Sequence, residues 1–181
     1  MSALAITGRD LTVRVRSAAQ MLGYWRDPAR TAESISPEGW IVTGDLGRFD
    51  NRGVLTLVGR RTEMYIRSGY NVYPAELENF LGDHPDIGAI AVTGVPAPVV
   101  GEIGVAWVVP SASSAYAATP VGTILNKGDA GLCDSLRSVV RDGLADYKAP
   151  EHVVIVDVLP VTSMMKVDKR ALVAKWVDLG R

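Results

Sequence analysis

The sequence predicts an α+β protein: a small domain with a sheet of roughly three strands and flanking helices, preceded by a β-rich segment. Three observations carry this. Helical spacing of apolar residues is concentrated in three stretches that follow Tyr73. Short β-type runs, Ile87 to Val95, Val105 to Val109 and Val153 to Val158, lie between those stretches. Up to about Arg60 the chain reads instead as short strands and turns.

The elements follow in order. Leu11-Thr12-Val13-Arg14-Val15-Arg16 alternates apolar and polar residues, the period of a half-buried strand. A hint of helix falls at Asp27-Pro28-Ala29-Arg30-Thr31. Asp50-Asn51-Arg52-Gly53 is turn chemistry, because Asp and Asn bond their own backbone and Gly accepts positive φ. Val54 to Val58 then reads as a strand ended by Gly59. This half has few large side chains for a core of its own, which predicts a piece of something larger. In the second half, Pro74 to Leu81 opens a helix, with proline at its first position, acids in its first turn, and Leu77, Phe80 and Leu81 on one face. Residues 110–131 are small, polar and glycine-rich, and read as a mobile surface loop. Leu132, Leu136, Val139, Val140 and Leu144 mark a second helix. Asp168 is placed to cap a third, whose apolar face is Leu172, Val173, Trp176 and Val177.

Composition narrows the function. Of 181 residues, 48% are hydrophobic and 22% charged, which fits a folded protein and excludes a disordered one. Nineteen basic residues against 20 acidic give a net charge of -1, so no nucleic-acid partner is expected. Cys133 stands alone and cannot form an internal disulfide. No apolar run approaches the ~20 residues of a membrane span, and the first nine residues lack a secretion signal's apolar core. A cytoplasmic location is the expectation. His84 and His152 lie far apart, no Cys-x-x-Cys pair exists, and neither GxGxxG nor GxxxxGK[ST] occurs.

Chemistry is therefore sought in three irregular, glycine-marked segments. The first is GWIVTGDLG, residues 39–47. Its Asp45 has two readings: a turn aspartate capping its own backbone, or a carboxylate that accepts hydrogen bonds from a vicinal diol. The second is GRRTEMYIRSGYNVYPAELE, residues 59–78, and the third is LPVTSMMKVDKRAL, residues 159–172. Lys166, on a loop before a helix, is either a solvated charge or a compact cation that reaches a phosphate.

Together with GYW (23–25), Gly101-Glu102 and YKAP (147–150), these segments fall in an order and spacing that resembles the C-terminal part of the adenylate-forming superfamily, which holds acyl-CoA synthetases, peptide-synthetase adenylation domains and luciferases. The resemblance covers about residues 10 to 179. It implies that residues 1–59 are the β-rich tail of a large N-terminal domain and residues 60–181 the complete small domain. It implies ATP and CoA as cofactors, with Mg²⁺ travelling on ATP and its ligands outside this chain. Asp45 matches the aspartate that holds the ribose hydroxyls, and Arg60 an arginine that also contacts the nucleotide. Thr62 falls at the hinge. Ser68, Gly69 and Tyr70 match the loop that lines the pantetheine channel in the second half-reaction. Lys166 matches the lysine that bridges the substrate carboxylate and the α-phosphate.

The expected intact enzyme is an acyl-CoA ligase, with a fatty acid as first choice of substrate, and this chain alone is expected to be inactive. An amino-acid or aryl-acid adenylation domain and a non-catalytic binding or regulatory fragment are the alternatives. A homodimer is a further possible assembly. The chain departs from the family pattern at Met165, where glycine is usual, at Thr62 for Asp or Lys, at Glu63 for Asp, and in the long 110–131 loop. Asp134-Ser135-Leu136 faintly resembles a carrier's phosphopantetheine site, but it lies inside the small domain and reads as a helix start.

Overall fold

The computed structural model describes residues 3–7 and 12–180. The chain divides into two compact units, Met1–Thr62 and Glu63–Arg181.

The first unit is an antiparallel sheet of four strands in chain order: β1 (Ala3–Thr7), β2 (Thr12–Arg16), β3 (Ile41–Phe49) and β4 (Leu55–Arg60). Of the predicted strand Leu11–Arg16, Leu11 lies outside the described residues and the remainder forms β2. Between β2 and β3 sits one short helix, α1 (Pro28–Ser34), capped by the Asp27 carboxylate, which accepts from the Arg30 amide at 2.9 Å. The Asp50 turn joins β3 to β4: its carboxylate accepts from the amides of Arg52 and Val54, and Gly53 takes φ +78°. The described buried side chains here are Thr12, Val13 and Leu46, while Leu22, Trp25, Val54 and Leu57 are exposed. So thin a core follows from the scarcity of large apolar residues on strand-facing positions.

The second unit is a six-stranded sheet, where roughly three strands were expected. Its centre is β8 (Gly101–Pro110), antiparallel to β7 (Ile87–Ala97) along one edge and parallel to β10 (His152–Ile155) on the other. The three extra strands are β5 (Tyr65–Arg67), β6 (Tyr70–Val72) and β9 (Ile124–Asn126), each three residues long and so too short to display an alternation. β9 corrects the reading of residues 110–131 as a mobile loop. It pairs with β10, Gly122 N–H donates to the Ile155 carbonyl at 2.8 Å, and Asp134 accepts from the amides of Gly128 and Ala130.

Helices cover both faces of this sheet. α2 (Pro74–Leu81) and α3 (Leu132–Gly143) lie on one, packing Leu77, Leu81, Leu132, Leu136 and Val140 against Val92, Ala106, Val108, Val153 and Ile155. α4 (Lys169–Asp178) lies on the other, where Leu172 and Trp176 meet Ala91, Val105, Trp107 and Val154. Alternate residues of β8 and β10 thus point to opposite cores, as the pleat requires. Trp107 is fully buried, and its indole N–H donates to the Thr93 hydroxyl at 3.0 Å. Two helix-face predictions need amendment: Phe80 is 39% and Val177 65% exposed. Both lie at the margin of the apolar stripe. Among the described residues, no helix is long and apolar enough to cross a membrane.

Candidate active site

In the first unit, Asp45 and Arg60 are directly opposite on β3 and β4, and Arg60 Nε stands 3.0 Å from Asp45 Oδ1. Asp45 is thus a strand residue paired with a cation, which sets aside the reading of a turn aspartate capping its own backbone. Local backbone is held by other groups: the Thr43 hydroxyl accepts from the Asp45 amide at 3.1 Å and donates to the Val13 carbonyl. Both side chains keep solvent contact, Arg60 at 53% exposure and Asp45 at 26%.

In the second unit, Ser68 and Gly69 form the two-residue turn between β5 and β6. Their φ values are +50° and +83°, the double left-handed pattern of a type I′ hairpin. Glycine meets that demand without strain, and an added Cβ at Gly69 would meet open space. The Ser68 amide donates to the Val100 carbonyl at 2.8 Å, and the Glu102 carboxylate accepts from the Ile66 amide at 2.8 Å. The Gly101-Glu102 motif therefore holds the base of the turn. Beyond it, the exposed Tyr70 ring lies on the ring of Tyr147.

Beneath this platform is a cluster of charges that the sequence reading missed. Arg67 pairs with Glu151 and donates to the carbonyls of Tyr147 at 2.9 Å and Ala149 at 3.3 Å. Arg137, only 2% exposed, donates to the Pro150 carbonyl at 2.7 Å and lies 3.7 Å from the same carboxylate. Lys148 contacts both oxygens of Glu76 on α2, at 2.7 and 2.8 Å. The YKAP motif is therefore an anchor: two arginines that share the Glu151 carboxylate donate to its carbonyls, and its lysine ties it to a helix. Its presence was legible, but its partners lie up to 82 positions away.

Lys166 stands apart from that turn. It is exposed on a tight loop closed by a bridge between Val161 and Val167, with Thr162 N–H donating to the Lys166 carbonyl at 2.7 Å. Among the described residues its ammonium makes no ion pair. Met165 takes φ +58°, a left-handed conformation that favours the glycine usual at this position. The loop leads into α4 on one face of the sheet, whereas Tyr147 packs against the core of the other. Among the described residues, no group of three or more His, Cys, Asp or Glu side chains is placed to hold a metal ion.

Residues 76–166 match the model of the AMP-binding enzyme C-terminal domain. The chain belongs to that family, the C-terminal part of the adenylate-forming superfamily. Among relatives, this AMP-binding C-terminal chain is 39% identical over 160 residues to a methyl-dioxo-octahydroindenyl propanoyl:CoA ligase of Rhodococcus jostii, covering 88% of this chain and 28% of that enzyme. Among solved structures, it is similar to the amide bond synthetase McbA of Marinactinospora thermotolerans, with a TM-score of 0.80 and 37% identity over 97% of this chain and 34% of that one. ATP-bound MatB of Rhodopseudomonas palustris matches with a TM-score of 0.75 and 31% identity, over 94% of this chain and 31% of that one. The chain thus spans about three tenths of the length of these relatives.

Proposed function

We propose that this chain is the C-terminal portion of an ATP-dependent acyl-CoA ligase, in which residues 1–59 complete a large N-terminal domain and residues 60–181 are the mobile small domain. The observation that carries the reading is Lys166: an exposed cation without an ion-pair partner among the described residues, on a hydrogen-bonded turn, in a chain of this family. In the first step a carboxylate oxygen of the acid attacks the α-phosphorus of ATP, and pyrophosphate leaves. Negative charge builds on the non-bridging oxygens, and the Lys166 ammonium stabilises it where it develops. Asp45 accepts from the ribose hydroxyls, with Arg60 holding its carboxylate in place and contacting the nucleotide. Magnesium would neutralise the departing phosphates from ligands outside this chain.

In the second step a CoA thiol gives up its proton, its sulfur attacks the acyl carbon, and AMP leaves. The Ser68-Gly69-Tyr70 turn lines the pantetheine path, because a glycine lets backbone pass close to a narrow ligand. Since the Lys166 loop and the Tyr70 platform border different faces of one sheet, the small domain turns between steps to present each in sequence. The acid is carboxylic, with a fatty acid as first choice. A second reading, favoured by the likeness to McbA, has an amine in place of CoA as acceptor.

The deciding experiment separates the half-reactions in the intact polypeptide that contains this chain. Lys166→Ala should abolish pyrophosphate release from ATP and acid while sparing thioester formation from supplied acyl-adenylate. Undiminished adenylation by that variant refutes the reading. The 181-residue chain alone should release no pyrophosphate.

A further inference from the structure

Lys169 has no assigned part in the chemistry, yet its position is unusual. It is the first residue of α4, and a cation there opposes the positive end of the helix dipole. Two carboxylates offset that cost. Lys169 Nζ lies 2.6 Å from Glu63 Oε2 and 2.9 Å from Glu78 Oε1. All three side chains are largely shielded, at 19, 33 and 21% exposure, so the contacts are screened less than surface pairs. Glu78 is itself fixed: the same Oε1 accepts from the Val92 amide at 2.7 Å on the open edge of β7. Glu63 is the first residue of the second unit, next to Thr62.

The turn that carries Lys166 depends on its two ends. Its hydrogen bonds close on itself: Thr162 N–H to the Lys166 carbonyl, Met165 N–H to the Thr162 carbonyl, and Asp168 N–H to the Pro160 carbonyl. Asp168 then caps α4 through the amides of Arg170 and Ala171. Leu172 and Trp176 hold the middle and end of α4 in the core, on the same helical face as Lys169. Lys169 precedes both, at the very start of the helix and only three residues from Lys166, and adds an ionic anchor there to the Asp168 cap.

We propose that Lys169 is a positioning residue for the first half-reaction: by bridging Glu63 and Glu78 it clamps the start of α4, and with it the Lys166 turn, to the segment that follows the hinge position. This rests on the function proposed above. Glu63 and the Lys166 turn then move as one body, and the ammonium arrives at the phosphate in a set orientation.

The test compares Lys169→Met, Lys169→Arg and Glu63→Gln in the intact polypeptide. Misplacement of about 1 Å costs up to 100-fold in rate, so Lys169→Met should slow adenylate formation by about 10- to 100-fold. It should leave thioester formation from supplied acyl-adenylate within about twofold, because that step does not use Lys166. Lys169→Arg, whose fork can meet two carboxylates, should restore most of the rate, and Glu63→Gln should fall between. Equal losses in both half-reactions, or no loss in the first, would overturn the assignment. Amide hydrogen exchange on the 181-residue chain gives an independent readout. The Thr162 and Asp168 amides should exchange faster in Lys169→Met and recover in Lys169→Arg, while unchanged exchange overturns the clamp. Should the unaltered polypeptide make no adenylate, the proposed function fails and the exchange arm alone decides the clamp.

Discussion

The rings of Tyr70 and Tyr147 are stacked, with centroids 4.6 Å apart and 22° between their planes. The contact joins the tip of the β5–β6 hairpin to the 3₁₀ turn Asp146–Lys148. Stacked aromatic pairs contribute about 0.5–1.5 kcal/mol beyond their buried area. A double-mutant cycle with Tyr70→Ala and Tyr147→Ala, read by urea unfolding, should return a coupling energy in that range. A coupling near zero would mean that the platform contributes nothing to holding the turn.

Glu151 is the hub of the charge cluster. Removing it leaves Arg67 and the buried Arg137 without their shared carboxylate. Breaking a buried pair by deleting one partner costs about 3–5 kcal/mol, so Glu151→Ala should lower the unfolding free energy by about 3 kcal/mol or more. Glu151→Gln, which keeps the shape and one accepting oxygen, should cost less. Chemical denaturation of the three proteins checks the order.

Met165 occupies left-handed backbone at φ +58°. That conformation costs an L-residue about 1–2 kcal/mol, against about 0.4–1 kcal/mol for the extra chain entropy of glycine. Met165→Gly should therefore raise stability by up to about 1.6 kcal/mol. Met165→Val, β-branched, should lower it. In the intact polypeptide the glycine variant should adenylate at least as fast as the unaltered one, in a pyrophosphate-release assay.

Burial raises the Cys133 thiol from its ordinary 9.0 to about 11, and burial also pushes the Tyr65 hydroxyl upward. Both groups are neutral in the fold. As pH rises past 9.0, the thiol of the unfolded chain loses its proton first, which favours unfolding. The thiol's contribution is therefore complete below pH 9.0 and lost as pH climbs toward about 11. The urea midpoint should fall across that window, and less steeply in Cys133→Ala. Alkylation of the folded protein at neutral pH should be slow for the same reason.

How much of this was legible depends on range. α2, α3 and α4 could be read because Leu77 and Leu81, Leu132 and Leu136, and Leu172 and Trp176 repeat at helical spacing. Asp168 announced its cap. β5, β6 and β9 could not be read, because a three-residue strand owes its existence to the neighbour it pairs with. The clusters around Glu151 and Lys169 were equally hidden, since Lys169 and Glu63 lie 106 positions apart and only the fold brings them together. Lys166 is a different case. Locally it looks like any solvated lysine, and its reading came from a resemblance to a family.

The enclosed indole of Trp107 has a practical use. Together with Trp176, at 5% exposure, it sits in the α4-side core, whereas in the first unit Trp25 is 86% exposed and Trp40 is half-buried. Shielded indoles emit at shorter wavelengths and resist collisional quenchers such as acrylamide. The two units therefore carry distinguishable intrinsic fluorophores, and the unfolding of one can be followed optically against the other without attaching a dye.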